Sequence, residues 1–515
     1  MDEEKQENKL QLTVDEVVEE YVGSFGFSQL LQVLLVSLAW IFDSQSTMVT
    51  VFTDAQPDSW WCIGPECSAT VCGLKAETWK WSGGNTSSIV TEWGLICHRR
   101  FLAALPASLY FLGSLIGYSF FGRLADAFLG RKRSLLLSCL LTSATIYLIS
   151  LSPNIYIYSL LRFSNGFSRS GIGVCSLVLC TEAVGLKSRV QVGQCGFFFF
   201  AAGYLSIPLI AYPTKDSWRN LYKIISFLPL VYAIFILIPF VSESPRWLLV
   251  RGRSEEAIGV LKRYARINGR ELPLNLTLIA TNESENNLSL NKLWNTKWAA
   301  KRVALVMITG FGIGFVYYGI QLNVENLNFD VYFTVAMNAM MEIPAVFMGG
   351  VLLSFTNRRL LFSCSAFLAG ISYISCIIFS HKIENQESRS RGSLPQLMIE
   401  ALGFMAASTA FDVLYIYCVE LFPTNLRNYA VSMLRQGLML GASISPLLTV
   451  SERSSPSFSF FVFGVISITT GLFSLWLPET RNTPLYETLE QQEEEQRFDS
   501  VCTDVGIQLG MTVQE

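Results

Sequence analysis

The chain has 515 residues, of which 51% are hydrophobic and only 15% charged, with a mean hydropathy of +0.38. Soluble domains carry about 25% charged residues, so an ordinary cytosolic enzyme is nearly excluded, as is disorder away from the ends. Net charge is −3 and the isoelectric point 5.7, which leaves no overall basic field for nucleic acid.

Apolar runs of about 20 residues predict membrane-crossing helices. Twelve occur, near 28–50, 101–121, 134–152, 155–179, 190–212, 219–240, 302–322, 331–354, 360–380, 395–418, 429–449 and 458–477. Strand-type alternation is lacking, so a barrel is not expected. The expected class is an all-α membrane protein with twelve transmembrane helices in two pseudo-symmetric six-helix bundles. The expected division is a cytosolic segment 1–27, a first bundle 28–240 with a large exofacial loop 51–100, a cytosolic central loop 241–301, a second bundle 302–477 and an acidic cytosolic tail 478–515. The segment Asp2–Glu20 is acidic rather than basic, so the first span reads as retained and not as a cleaved signal.

Orientation follows from lysine and arginine. Four lie in Arg123–Arg133 and eleven in 241–302; the positive-inside rule places these loops and both termini in the cytosol. Cys62, Cys67, Cys72 and Cys97 then share the exofacial loop, where four cysteines suggest two disulfides with three pairings open, free thiols being the alternative. Asn85-Thr86-Ser87 in the same loop is a glycosylation sequon. The sequons at Asn275, Asn282 and Asn287 fall on the cytosolic side and should stay unmodified. In the central loop, Ser254 reads as the N-cap of a short helix with Glu255 and Glu256 in its first turn, ended by Asn268-Gly269.

Three motifs occur twice, at offsets of about 230–240 residues. Gly122-Arg-Leu-Ala-Asp126 with Gly130-Arg131-Lys132 returns as Gly350-Val-Leu-Leu-Ser354 with Arg358-Arg359. Glu182 and Arg189 return as Glu420 and Arg427, with the same spacing. Glu243-Ser-Pro-Arg246 returns as Glu479-Thr-Arg481. Such duplicated halves favour a site between them near the membrane midplane, with one half rocking against the other.

These paired loops, together with Arg162-Phe-Ser-Asn-Gly166, Trp218-Arg219, Glu342-Ile-Pro344-Ala345 and Glu420-Leu-Phe-Pro423-Thr424, resemble the major facilitator superfamily. Within it the chain looks closest to the organic cation/carnitine transporters. The similarity covers roughly residues 28–485. Asp126-Ala-Phe-Leu-Gly130-Arg131, with Ala127 in place of arginine, resembles the plant branch, and Ser354 replaces the aspartate of the second copy. The resemblance implies transport of a small organic cation or zwitterion by alternating access through the lipid bilayer, driven by protons or sodium or by facilitated diffusion. It implies a monomer, no cofactor, and no enzymatic step. Two histidines, and no phosphate-binding loop, metal spacing or nucleophile motif, agree with that. The plasma membrane is the favoured location and the vacuolar membrane the alternative. A sugar or organic-anion carrier of the same superfamily is the second reading.

Two sets of residues carry these expectations. Asp126, Arg131, Glu182, Arg189, Glu243, Arg246, Glu420 and Arg427 are expected to gate the cytosolic side as an ion-pair belt, with Arg131 and Lys132 reaching carboxylates of the opposite half. Gly122 and Gly130 would shape the tight loop, and Asp126 would sit at a helix N-terminus; plain membrane-surface anchoring is the alternative. Inside the membrane a charge costs roughly 2.5–3.5 kcal/mol and needs a partner or a wet cavity. Asp43, expected near the outer mouth, Arg162 and Arg169 are the expected intramembrane ion-pair residues. Glu342, before Pro344, and Asp412 are the expected cation- or proton-carrying acids, while Glu400 should be solvated near an outer end. Many animal members of the resembled group have an acid where Met439 aligns; here Arg435 stands one turn earlier, either to hold a carboxylate or to pair with Glu342 or Asp412. Tyr317, Tyr318, Phe198 and Tyr204 are the expected aromatic contacts for a quaternary ammonium group.

Overall fold

The computed structural model describes residues 10–493, except 58, 64–71, 73–77, 274, 280–292, 328, 385–393, 452–455 and 482–490. Cys67, the sequons at Asn282 and Asn287, and most of the acidic tail therefore lie outside the described residues.

Twelve long helices follow one another: α1 Phe27–Thr53, α2 Leu105–Leu124, α3 Arg131–Ile149, α4 Ile155–Glu182, α5 Arg189–Ala211, α6 Trp218–Phe240, α7 Lys297–Leu322, α8 Val331–Phe355, α9 Arg358–Glu384, α10 Leu394–Leu421, α11 Thr424–Ser451 and α12 Pro456–Ser474. Ten are long and apolar enough to cross a membrane by length and composition. The other two, α4 and α11, carry Arg162, Arg169, Arg427 and Arg435, which lower their hydropathy. Several helices outrun the apolar run that announces them: α7 begins at Lys297 and α11 at Thr424. Backbone hydrogen bonding continues past the apolar stretch into charged turns, because the i→i−4 ladder is indifferent to which side chains reach headgroups.

Within each half the packing repeats. The pairs α2/α4 and α8/α10 correspond, as do α1/α5 and α7/α11. Small residues set the closest approaches. A Cβ on Gly166 would lie 1.9 Å from the Tyr110 carbonyl oxygen, and one on Gly113 2.1 Å from that of Phe163, so α2 and α4 touch backbone to backbone as small-residue membrane interfaces do. In the second half Gly314 and Gly441 do the same for α7 and α11, at 2.2 and 2.1 Å from Leu438 and Phe311 oxygens. The halves meet along α2/α11 and α5/α8, two contacts related by the same pseudo-symmetry.

The two ends differ in dress. At the end bearing loop 54–96, Trp60–Cys62 pairs antiparallel with Trp79–Trp81, Cys72 is bonded to Cys97 and Cys62 is also disulfide-bonded. Glu92 ties this loop to α6, accepting from Trp218 Nε1 at 2.7 Å and Arg219 Nη2 at 2.5 Å. Asn85 is exposed there. At the other, basic end, strand Leu10–Leu12 lies parallel to Leu276–Leu278. Thr13 and Glu16 form a capping box on helix Val14–Val17. Val14, Val17, Val18 and Val22 bury against Trp247, Leu248, Leu261 and Tyr264. These strand pairs were not legible as periodicity because each is only three residues long. The helix Ser254–Ile267 has Arg253, not Ser254, at its N-cap, and ends at Asn268 before Gly269, whose φ is +70°.

The glycine contacts make a direct test. Gly166→Val forces a branched side chain onto the α2 backbone and should destabilise by about 1–3 kcal/mol or more. The melting temperature of the detergent-solubilised protein should fall by several degrees. Gly259→Ala, where nothing lies within 4 Å, should leave it level or slightly raised.

Candidate functional site

Rings from both halves and carboxylates of the second gather where the bundles meet. Tyr317 and Tyr318 lie on α7 and are buried. The Tyr317 hydroxyl donates to Glu342 Oε1 of α8. Its ring stacks on Phe411 at 4.8 Å and Phe404 at 5.6 Å, both on α10. Pro344 lies inside α8 two residues beyond Glu342, where it removes one backbone bond of the helix. Asp412 follows Phe411 and is buried. Among the described residues, Glu342 Oε2 and Asp412 Oδ2 are both sequestered without a hydrogen-bond partner. From the first half, Phe197 of α5 meets Tyr415 at 5.6 Å and Phe411 at 6.4 Å, and Trp40 of α1 backs it at 5.9 Å. Phe111 of α2 packs on Tyr318 at 4.7 Å. The result is an aromatic wall crossing the half-to-half boundary, with two acids behind it.

Of the expected aromatic contacts, Tyr317 and Tyr318 lie in this wall. Tyr204 is fully buried, edge-on to Phe404 at 6.4 Å. Phe198 points elsewhere: it is 36% exposed and packs on Phe347. Its neighbour Phe197 takes the inward position. The run Phe197–Phe200 covers every face of a helix, so spacing alone carried no phase. Trp40, Phe404, Phe411 and Tyr415 escaped the sequence reading because single aromatics in apolar spans look like core or lipid contacts.

The first half holds its charges differently. Arg169 Nη1 donates to both Asp43 oxygens, at 2.8 and 2.9 Å, and its Nε to Ser114 Oγ at 3.3 Å. Asp43 is 2% exposed: it sits in the bundle interior and not at an outer mouth. Arg162 makes no ion pair among the described residues. Its Nη1 donates to the Ser46 carbonyl at 3.1 Å and its guanidinium lies 4.1 Å over the Tyr110 ring. Arg435 pairs with neither Glu342 nor Asp412; it faces the rings of Tyr118 and Tyr415 at 5.3 and 5.7 Å. Gln436 beside it bonds across the halves to Ser119 Oγ at 2.9 Å. Glu400 is 1% exposed, so the solvated position expected for it is corrected: α10 begins at Leu394 and has already entered the bundle there.

At the basic end the three repeated motifs converge, once in each half. Arg131 of the first motif contacts Glu182 at 3.2 Å and Asp126 at 3.0 Å. Glu243 accepts from the backbone N–H groups of Arg131 and Lys132 at 3.0 and 3.1 Å, at the N-terminus of α3. In the second half Arg358 grips Glu420 at 2.9 and 3.1 Å. Glu479 accepts from the N–H groups of Arg358 and Arg359, at 2.9 and 3.2 Å, at the start of α9. Three expectations are corrected. Arg131 finds its acids in its own half, because α4 and the turn after α6 flank it there. The helix N-terminus is capped by Glu243, not Asp126, which is held instead by the Arg131 side chain. Gly122 lies within α2 with open space around it, and only Gly130, with φ +87° and the Glu243 carboxylate 2.6 Å from a would-be Cβ, requires glycine. Arg189 and Arg246 both bind Asp15, the former at 2.8 Å, and Arg427 donates to the Val419 carbonyl at 2.9 Å. Asp15 was missed; the Thr13-x-x-Glu16 capping box is the sequence signal that marks its helix.

Two pseudo-symmetric six-helix halves meeting over buried aromatic and charged side chains are the architecture of a multi-pass membrane transporter. The sugar (and other) transporter family matches residues 75–491. The chain is 40% identical to organic cation/carnitine transporter 2 of Arabidopsis thaliana over 96% of each chain, and 41% identical to transporter 3 of that plant over 93% of each. It is 30% identical to the Homo sapiens organic cation/carnitine transporter 2 over 79% of this chain and 72% of the human one. The xylose transporter XylE from E. coli, in a partially occluded inward-open conformation, shares the fold at TM-score 0.63 with 15% identity, over 89% of this chain and 99% of XylE. The chain belongs to the major facilitator superfamily and, within it, to the organic cation/carnitine transporter group. Its relatives are transporters and not enzymes.

The Asp43–Arg169 pair is testable by a mutant cycle. Arg169→Met alone leaves Asp43 uncompensated and should cost about 3–5 kcal/mol. The double change Asp43→Leu with Arg169→Met should recover most of that, read as melting temperature and yield of folded protein.

Proposed function

We propose that the protein carries small organic cations or zwitterions, carnitine-like in chemistry, across its membrane by alternating access. The observation that carries this reading is the aromatic wall of Trp40, Phe197, Tyr317, Tyr318, Phe411 and Tyr415 backed by Glu342 and Asp412. Ring faces attract a quaternary ammonium group by about 0.5–2 kcal/mol each. The two buried acids supply a negative field that a cation or proton can neutralise. The names of the relatives support the same substrate class. Arg435, flanked by Tyr118 and Tyr415 and paired with neither acid, is the group for the carboxylate of a zwitterion, through two parallel N–H···O bonds. Glu342 and Asp412 are the candidates for proton coupling: substrate and proton compete for the same negative charge.

The halves close on each other at the end bearing Thr50, Asp54, Leu322 and Pro446, leaving a cavity of about 30 Å³ there. That end also carries the Cys72–Cys97 disulfide and the exposed Asn85 sequon, which supports its placement on the oxidising, exofacial side. The basic end is then cytosolic, and Asn85 is the glycosylation site. The charged clusters around Arg131 and Arg358, each closed within its own half in this conformation, become the cytosolic gate when that side closes and they exchange partners across the halves. Each partly exposed pair is worth only about 0–1 kcal/mol, which keeps the two end states within reach of each other. A plasma-membrane location fits best.

Uptake in transporter-poor cells tests the reading, with carnitine, tetraethylammonium, a dicarboxylate and glucose as probes, with and without a proton gradient. Carnitine or tetraethylammonium should accumulate, and glucose uptake alone would sink the proposal. Glu342→Gln should lower uptake of both cations about tenfold or more, the scale of one charge-assisted contact. Arg435→Ala should lower carnitine uptake about tenfold and spare tetraethylammonium; equal loss of both would remove the carboxylate role.

A further inference from the structure

Glu400 belongs to neither the aromatic wall nor the gate. It lies on α10 and is 1% exposed. Its Oε1 accepts from Asn338 Nδ2 of α8 at 3.1 Å. Asn338 is itself fully buried. Each of these two groups keeps one further oxygen, Glu400 Oε2 and Asn338 Oδ1, and both oxygens are sequestered with no hydrogen-bond partner. The groups around them are the hydroxyls of Tyr204 on α5 and Tyr373 on α9 and the thiol of Cys376 on α9, with Glu342 one turn along α8 from Asn338. Both hydroxyls are likewise buried without a partner. No lysine, arginine or histidine forms an ion pair with Glu400 among the described residues.

This is a chemical mismatch of one kind. A carboxylate and an amide oxygen are both pure acceptors, and each is costly to bury unsatisfied. One proton corrects both at once. A carboxylic acid and a primary amide form a closed ring of two hydrogen bonds, N–H to the acid C=O and O–H to the amide C=O. The first bond is present, and the two orphan oxygens are the atoms that the second would join. A metal ion would demand several convergent oxygens; a proton demands only the acceptor that Asn338 already offers.

We propose that Glu400 and Asn338 form a second proton-binding site, separate from the substrate chamber, in which Glu400 is a neutral acid closed onto the Asn338 amide in the conformation described here. Uptake of the proton makes the Oε2–H bond and neutralises the carboxylate. Release requires water to reach Oε2, which happens when α5, with Tyr204, and α8 separate along the boundary between the halves. The site does not depend on which substrate the chamber takes. Only its consequence, a proton carried per cycle, rests on the transporter reading above.

The test has two arms, so that the two ideas fail separately. In the first, purified full-length protein in lipid vesicles is titrated while its infrared difference spectrum is recorded, with no substrate added. Wild type should show the C=O stretch of a buried protonated carboxylic acid. Glu400→Gln, which keeps both ring hydrogen bonds without a titrating proton, should lose that band while the melting temperature stays level. Asn338→Leu should move the band to higher frequency, as a C=O group does on losing its donor. An unchanged spectrum in Glu400→Gln overturns the site. In the second arm, proteoliposomes loaded with carnitine or tetraethylammonium, whichever the uptake assay selects, are given a pH gradient. Glu400→Gln should keep substrate exchange at equal pH and lose gradient-driven accumulation at least tenfold. Full accumulation in Glu400→Gln overturns the site's part in the cycle. Absence of transport in wild type with the infrared band intact overturns the transporter reading and leaves the site.

Discussion

A charge withdrawn from water must meet an opposite charge, a proton or a ligand, and the two halves solve this differently. In the first half Asp43 and Arg169 neutralise each other by a two-oxygen contact, and Arg162 leans on a carbonyl and an aromatic face. In the second half Glu342, Glu400 and Asp412 are all buried, and their neighbours are hydroxyls, amides and rings. Arg435, the buried base of that half, looks across to Tyr118 of the first. The interior is therefore electrostatically lopsided: among the described residues the first half's buried acids, Asp43 and Asp54, are matched in number by Arg162 and Arg169, whereas the three buried acids of the second half share it with Arg435. Breaking a compensated buried pair costs about 3–5 kcal/mol, so Asp43–Arg169 is a fixed post. Uncompensated carboxylates are the opposite: in the proposed cycle a cation or a proton would neutralise them, and their occupancy would set the relative energies of conformations.

The basic end applies the same accounting at lower stakes. Glu243 and Glu479 meet the first N–H groups of α3 and α9, where a carboxylate is favoured by both the unsatisfied donors and the helix dipole. Glu182 and Glu420 fix the arginines that open those helices. Each half thus closes its own motif triangle. The halves are not equivalent, however. Ser354 replaces the aspartate, and only the first half receives Asp15, whose carboxylate takes Arg189 and Arg246 together. The N-terminal segment is in this way part of the first half's charge cluster, held there by four valines in an apolar contact.

Much of this was legible in the sequence. Most spans followed from hydropathy, since the bilayer makes apolar length a near-direct readout of topology, while α4 and α11, whose arginines lower their hydropathy, gave the weaker signal. The duplication followed from charged residues repeating at one offset. What resisted reading was phase and partnership. Hydropathy cannot say which of Phe197 and Phe198 faces inward, because every face of that helix is apolar. It cannot say that Glu243 caps α3, because the partner is 112 residues away. Glu400 was misjudged because distance along a span was taken for depth. The helix α10 enters the bundle within two turns, and burial is decided by neighbours from α8 and α9 that no linear window contains. The small strand pairs at both ends were invisible for a plainer reason: three residues give no period to detect.

The boundary between the halves explains how so rigid a pair of bundles can still move. Inside each half, helices touch backbone to backbone at Gly113, Gly166, Gly314 and Gly441, and such contacts tolerate no sliding, since a shift of a few tenths of an ångström is a clash. Across the boundary many contacts are rings, Phe52 on Tyr332 at 5.1 Å, Phe111 on Tyr318 at 4.7 Å and Phe197 on Tyr415 at 5.6 Å, beside polar links such as Gln436 to Ser119. Aromatic pairs are worth about 0.5–1.5 kcal/mol beyond their buried area and accept many geometries. Separating a few of them costs several kcal/mol in all, comparable to what one bound cation or proton returns by neutralising a buried acid. Stiff halves and a soft seam therefore favour a rigid-body motion, and in the proposed transport cycle the ligands that drive it would bind where the seam and the uncompensated acids coincide.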